Sequence, residues 1–327
     1  MAKNVELYHI APDQTTLMQC QIIKTKNDKI IVIDGGFYLD SLCYYIHSAI
    51  RAILGVGQND YFEIEAWILT HCHGDHYGEL ALQFERYGKD SNFKVNNIYF
   101  DFAPFDKMNY TDLDENTFPW YNGLIKALDN YARVNEIDTE GKSYFDFLNG
   151  KVINSDAIKK GLTLNIDGVK FDFYQTYDYS DQKVNGSSLV FKMTVPCENE
   201  QTQTVLFLGD TSAQSGKRLL KNVDHAKLKA DIVQMAHHGN WAVEKEVYDV
   251  IGATVHLWST PIWLWTAVDC EYDCDKVREW VGAKTHGKFD IVSSCYERYP
   301  NDRESVDDWK GVLDQMKIVF PYNPTKD

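Results

Sequence analysis

The sequence predicts an α/β protein, on three observations. Short runs rich in β-branched residues alternate with stretches whose apolar residues recur at helical spacing. Two such runs, Ser188 to Val195 and Thr202 to Leu208, flank the polar turn Glu198-Asn199-Glu200-Gln201 and read as a hairpin. No repeat, low-complexity stretch or Pro/Gly-rich linker divides the chain, so residues 1–327 are read as one domain.

Each element follows from its own pattern. Lys29 to Ile33 is a strand ending at Asp34-Gly35-Gly36, and Ser41 to Leu54 carries helical periodicity. Ala66 to Thr70 is a second strand, with His71 as the next residue. Gly78 opens an amphipathic helix that leads to a strand at Asn97 to Phe100. Residues 101–160 lose this rhythm and are rich in aromatics, Asp and Asn; with a helix at Tyr121 to Val134, they read as an insertion that shapes a pocket. Strands at Leu162 to Ile166 and Val169 to Tyr174 precede the hairpin. Helices are expected at Ser215 to Val223, Ala242 to Ile251 and Asp275 to Val281, with extended segments at Ile232 to Ala236 and Thr254 to Trp258. Ile291 to Ser293 and Lys317 to Phe320 are closing strands.

Composition narrows the function classes. The chain has 44% hydrophobic and 25% charged residues, close to globular averages, which excludes global disorder. A net charge of −15 argues against a broad grip on nucleic acid, whose backbone is held by Lys and Arg. A small-molecule substrate fits better. No segment approaches the ~18–20 apolar residues of a membrane span, so the chain is read as soluble, with no membrane partner. Seven scattered cysteines, an odd number, read as reduced thiols in a cytoplasm; Cys270 and Cys274, spaced C-x3-C with no second pair, read as ordinary thiols.

The chemistry concentrates in His71-Cys72-His73-Gly74-Asp75-His76, three imidazoles and a carboxylate in six residues after an apolar strand. His71 and His73, two apart in extended chain, point to one side, and a turn at Gly74 redirects Asp75 and His76 to an adjacent spot. Two neighbouring metal sites are expected, with N and O ligands. Further donors must come from elsewhere. Leu206-Phe207-Leu208-Gly209-Asp210 places a carboxylate beyond a strand, and Met235-Ala236-His237-His238-Gly239 ends another with paired imidazoles, one of them a ligand. Asp34 is read as an acceptor that orients a ligand imidazole.

His71-x-His73-x-Asp75-His76, then Gly209-Asp210, then His237-His238, preceded by Asp34, resemble the metallo-β-lactamase-fold hydrolase superfamily. Asn185-Gly186-Ser187-Ser188-Leu189-Val190 and Ala236-His237-His238-Gly239 further resemble the hydrolase domain of ComEC/Rec2-type competence proteins. The resemblance implies a four-layer αββα sandwich and two divalent metal ions, zinc first with manganese or iron as alternatives. It implies that His71 and His73 hold one ion, that Asp75 and His76 with His237 or His238 hold the other, and that Asp210 bridges them. The implied activity is hydrolysis of a phosphodiester-like or other small ester by a hydroxide generated between the ions. Asp75 or Asp210 would orient that hydroxide, and the spare histidine of His237 and His238 would serve the oxyanion or leaving group. Asp75, His237 and His238 are thus the catalytic candidates.

This chain departs from the family pattern in one respect. No histidine occurs between His76 and His225, where many members carry another ligand; Asn185 to Ser188 stand there instead, so Asn185, a serine or water is expected to complete the first site. That departure sustains an alternative, a metal-binding member of the fold without turnover. Trp120, Tyr121, Trp258, Trp263 and Trp265 are candidate cleft walls, Lys217, Arg218 and Lys221 a modest basic track, and His256 a structural histidine.

Overall fold

Ile30 to Ile33 are all buried, the mark of a strand covered on both faces. In the computed structural model, which describes residues 4–39, 44–90, 92–108, 110–111, 113, 116–267, 274–299 and 306–324, that strand lies within the first of two mixed sheets. The first sheet contains β1 (Glu6–His9), β2 (Gln21–Lys24), β3 (Ile30–Ile33), β4 (Phe62–Ile68), β5 (Phe93–Val95) and β6 (Ile98–Tyr99). The second contains β7 (Thr163–Ile166), β8 (Val169–Gln175), β9 (Val190–Pro196), β10 (Thr202–Phe207), β11 (Ile232–Gln234), β12 (Val255–Trp258) and β13 (Asp290–Val292). The last strand, β14 (Lys317–Val319), returns to pair with β1, giving the order β14-β1-β2-β3-β4-β5 with β6 also on β4. The second sheet runs β13-β12-β11-β10-β9-β8-β7.

Side-chain parity sorts the core into three layers, because alternate residues of a strand face opposite ways. Ile31 and Ile33 of β3 meet Phe171, Phe191 and Phe207 of the second sheet in the central layer. Ile30 and Val32 point outward, with Trp67, onto Ile46, Leu80, Phe84 and Trp309 of the flanking helices. On the other side Leu206, Val233 and Trp258 pack under Leu219, Val247 and Val277. The layers are therefore helix, sheet, sheet, helix, the αββα arrangement. The helices Thr117–Val134, Tyr144–Leu148 and Ser155–Lys159 arise within 101–160. Leu124, Tyr131 and Phe145 of this stretch join the first outer layer, where the Phe84 and Tyr131 rings stand 4.3 Å apart.

Two features place the site. In the first sheet β3 and β4 are parallel and lead to Asp34 and His71, and in the second β10, β11 and β12 are parallel and lead to Asp210, His238 and Ser259. The helix after β4 runs Gly74–Tyr87, beginning four residues before the expected Gly78. Gly78 is required there: a Cβ at that position would strike the backbone of Tyr38, which crosses the helix.

The sequence reading missed β1, β2, β5 and the helix Val306–Met316. The start of the expected helix Ser41 to Leu54 falls partly outside the described residues, and Tyr45–Leu54 is helical. Cys270 also lies outside them; Cys20, Cys72, Cys197, Cys274 and Cys295 are free thiols.

Candidate metal centre

Asp34 leaves β3 with a left-handed backbone (φ 55°), held because its N–H donates to Ile68 O at 2.8 Å and Trp67 Nε1 donates to its carbonyl at 2.9 Å. Its carboxylate is fully buried. It accepts from Thr70 N (2.7 Å), Thr70 Oγ1 (2.9 Å), Gln19 Nε2 (3.1 Å) and His76 Nδ1 (2.8 Å). Four donors on one carboxylate fix its orientation, and through it that of His76.

The other imidazoles are pinned in the same manner. Thr70 Oγ1 gives its proton to Asp34, so it accepts from His71 Nδ1 at 3.1 Å. His238 Nδ1 donates to the Ser259 carbonyl at 2.9 Å. In His71, His76 and His238 the Nδ1 side is thereby engaged, which leaves each Nε2 lone pair facing the centre. His73 caps the helix, and the expected turn at Gly74 is instead the first turn of that helix, carrying Asp75 and His76.

Asp210 stands at the middle. Gly209 before it has φ +55°, and a Cβ there would meet both Ser188 and Thr70 at 3.1 Å, so glycine lets the two sheets close. Gln234 Oε1 accepts from the N–H groups of Leu208 (2.9 Å) and Gly209 (2.8 Å), and Asp210 N donates to Ser188 Oγ at 3.0 Å. The Asp210 carboxylate reaches toward both halves of the cluster. Oδ2 lies 3.8 Å from His71 Nε2 and 3.6 Å from His238 Nε2, and Oδ1 lies 3.2 Å from His76 Nε2 without an aligned hydrogen bond.

The residues fall into two groups whose donor atoms lie within 4.8 Å of one another: His71, His73 and Asp210; and Asp75, His76 and His238. Two donors bound about 2.0–2.2 Å from one ion stand about 2.8–3.6 Å apart. The contacts inside the cluster have that spacing: His71 Nε2 to His73 Nδ1 3.1 Å, His76 Nε2 to His238 Nε2 3.3 Å, and His238 Nε2 to Asp75 Oδ2 3.0 Å. Close approach of lone-pair nitrogens, with a buried carboxylate oxygen lacking a partner, fits cations as the missing component. Each group can hold a metal ion.

The buried carboxylates favour positive charge at the centre, carried by a proton on His76 or His238 or by a metal ion that would displace it. Burial, with His76 alongside, holds the His71 pKa well below its ordinary value, which keeps it in the neutral form that ligates. Burial also works against charge on His76, but Asp210, Asp34 and Asp75 outweigh it and raise its pKa well above normal. For Asp210, burial is overcome by His76 and His238, which hold its carboxyl well below the carboxylate range.

His238, not His237, sits with Asp75 and His76. The Nε2 of His237 is 3.9 Å from Asp210 Oδ2 and 3.3 Å from Asn185 Nδ2. Both residues line a cavity of about 240 Å³ beside Asp210, with Lys183, Trp241 and Glu244 around its mouth. Trp241 was not singled out in the sequence. Of the aromatic candidates, Trp258 and Trp265 are core residues, while Trp120 covers Gly74 and Trp263 is exposed with its Nε1 on Thr15 O. Arg218, one of the three residues of the expected basic track, is committed to Gln175, Thr176 O and Ser215. His256 donates to Asp290 at 2.8 Å. Sequence reasoning also missed Thr70, Gln19, Gln234 and Ser259, common polar residues whose roles appear only in three dimensions.

Residues 20–150 match the metallo-beta-lactamase superfamily model. No curated protein matches the chain. Among solved structures, a long form RNase Z from yeast is 12% identical, covering 96% of this chain and 43% of its own, with a TM-score of 0.43. CmlA, a diiron beta-hydroxylase from Streptomyces venezuelae, is 13% identical over 86% of this chain and 43% of its own (TM-score 0.37). The metallo-beta-lactamase MIM-1 from Novosphingobium pentaromativorans is 11% identical over 86% and 89% (TM-score 0.35). The chain spans half the length, or less, of four of the solved structures it resembles, RNase Z and CmlA among them. Among the described residues no helix is long and apolar enough to cross a membrane.

Proposed function

We propose that the whole chain is a metallo-β-lactamase-superfamily hydrolase that uses two divalent ions on a small phosphodiester-like or related ester. The observation that carries this reading is Asp210, a buried carboxylate that belongs to one donor group of three and lies 3.2 Å from His76 Nε2 of the other. Bound at those groups, a pair of divalent ions supplies water ionised near neutral pH and Lewis acidity at the scissile group. The chain's own residues do the rest. Asp34, through Thr70 and His76, and the Ser259 carbonyl, through His238, fix the imidazole tautomers. Asp75, 3.0 Å from His238 Nε2, or Asp210 would orient the attacking oxygen.

The cavity sets the substrate. Its volume suits a small molecule, Lys183 offers a cation for a phosphate oxygen, and Trp241 offers an apolar wall. The Asn185 to Leu189 segment supports the ComEC/Rec2-like assignment, zinc is the first expectation for the ions, and a cytoplasmic setting suits the scattered thiols. The missing intermediate histidine supports the second reading, a metal-binding protein without turnover. Metal content per chain, measured beside turnover of bis(p-nitrophenyl) phosphate, separates them. Two ions with turnover are expected; two ions with no activity on any ester would favour the second reading.

A further inference from the structure

Each donor group has three residues, and the first has further candidate donors beside it. His71, His73 and Asp210 supply three donors, and the histidine that would add a fourth is absent from the sequence between His76 and His225. What the structure puts beside this group is an imidazole and an amide. His237 Nε2 stands 3.9 Å from Asp210 Oδ2, matching the 3.8 Å of His71 Nε2 on the same oxygen. Asn185 Nδ2 is 3.3 Å from His237 Nε2, Asn185 Oδ1 is buried with no hydrogen-bond partner, and turning the amide over exchanges the two atoms.

The backbone reinforces this placement. His237 (φ 53°, ψ 50°) and His238 (φ 57°, ψ 21°) are consecutive left-handed residues, followed by Gly239 at φ +84°. Such a conformation costs a side-chain-bearing residue energy, and two in succession persist only when the surroundings impose them. Here His237 N donates to Gly209 O at 3.1 Å and Thr260 Oγ1 donates to His238 O, so the turn is tied directly to the Asp210 loop. Its effect is to send one imidazole to each donor group.

We propose that His237 and the Asn185 side-chain oxygen complete the His71–His73 site, standing in for the missing histidine. The group then has three imidazoles, one amide oxygen and the shared carboxylate. An uncharged oxygen in that set broadens the site from a tetrahedral zinc position toward the higher coordination that manganese and iron accept. His237 is thereby a ligand and not a free donor to the leaving group.

The inference rests on the two-ion reading, and its test separates the two. Apo protein is titrated with Co(II) alone, following bound metal by elemental analysis, the visible d–d bands and competition with a chelator. Wild type is expected to take two ions. His237→Ala should bind one of them at least 100-fold more weakly with loss of its bands, Asn185→Ala should weaken the same ion about 10-fold, and Asn185→Asp, which adds a charge, should tighten it. His225→Ala, on the surface with its ring on Leu220 O, should match wild type. Two ions held with wild-type affinity in both His237→Ala and Asn185→Asp overturn the proposal. Should His237→Ala not fold, unchanged affinity in Asn185→Asp overturns it alone. A wild type that binds no cobalt overturns the functional reading instead.

Discussion

The two donor groups share a carboxylate but differ in enclosure. In the Asp75 group, the His76 and His238 side chains are 0% and 2% exposed, and each has its Nδ1 held by a buried acceptor. In the His71 group, His73 is partly exposed, His237 beside it is 30% exposed, and the Asn185 oxygen awaits a partner at the cavity wall. One group is held within the fold; the other borders the cavity. On the proposed function the difference teaches a division of labour: the enclosed group would retain its ion, while the open group would exchange ligands and meet the substrate.

The largest effect should come from the support both groups share. Gln234 accepts from two buried N–H groups of the Asp210 loop and also donates to Gln19 Oε1 at 2.8 Å. Gln234→Leu strands those donors at about 1–3 kcal/mol each, so denaturant unfolding should show a loss of about 2–6 kcal/mol, with both ions weakened together. If only one ion were affected, Asp210 would not be the common anchor.

A smaller and one-sided effect is expected at Asp34. Asp34→Asn keeps an acceptor but turns an amide toward His76 or Thr70, disturbing the tautomer that presents His76 Nε2. Removing such outer partners typically lowers metal affinity 10–100-fold. Chelator competition should show that loss for the Asp75-group ion, with the other changed less because His71 depends on Asp34 only through Thr70. Equal losses at both would dissolve the distinction between the groups.

What both halves draw from one local run was legible in the sequence and what they draw from a distant turn was not, for a physical reason. His71 to His76 lie within one local run, so spacing alone announces them, and a strand end preceding Asp34 or Asp210 is visible as an apolar run. The choice of His238 over His237 depends on successive left-handed residues, which no periodicity encodes. The early helix start escaped because its first turn carries polar donors, and apolar spacing begins only after them. Trp258 and Trp265 look like wall residues by type, but helix packing on the outer face of the second sheet makes them core. Thr70, Gln19, Gln234 and Ser259 leave no mark in sequence, since their partners are set by sheet register.

A carboxylate outside the imidazole field supplies the contrast for Asp210. Asp101, at the start of the 101–160 stretch, is buried and accepts from the neutral Thr176 Oγ1 at 2.8 Å. Burial, against that hydroxyl alone, raises its pKa from 3.8 to about 6, whereas the imidazoles drive Asp210 the other way. Between these values the folded state binds more protons than the unfolded chain, so this group's contribution to stability is fully present near pH 4, falls as pH rises to about 6, and is flat beyond. The shift corresponds to roughly 2–3 kcal/mol. Asp101→Asn retains an acceptor for Thr176 and never ionises. Thermal unfolding across pH 4 to 8 should therefore show the variant gaining on wild type between pH 4 and 6, then holding a constant advantage. A variant-to-wild-type difference that ignores pH would mean that Asp101 ionises freely in the fold, and that burial alone does not set the carboxylates of this edge apart.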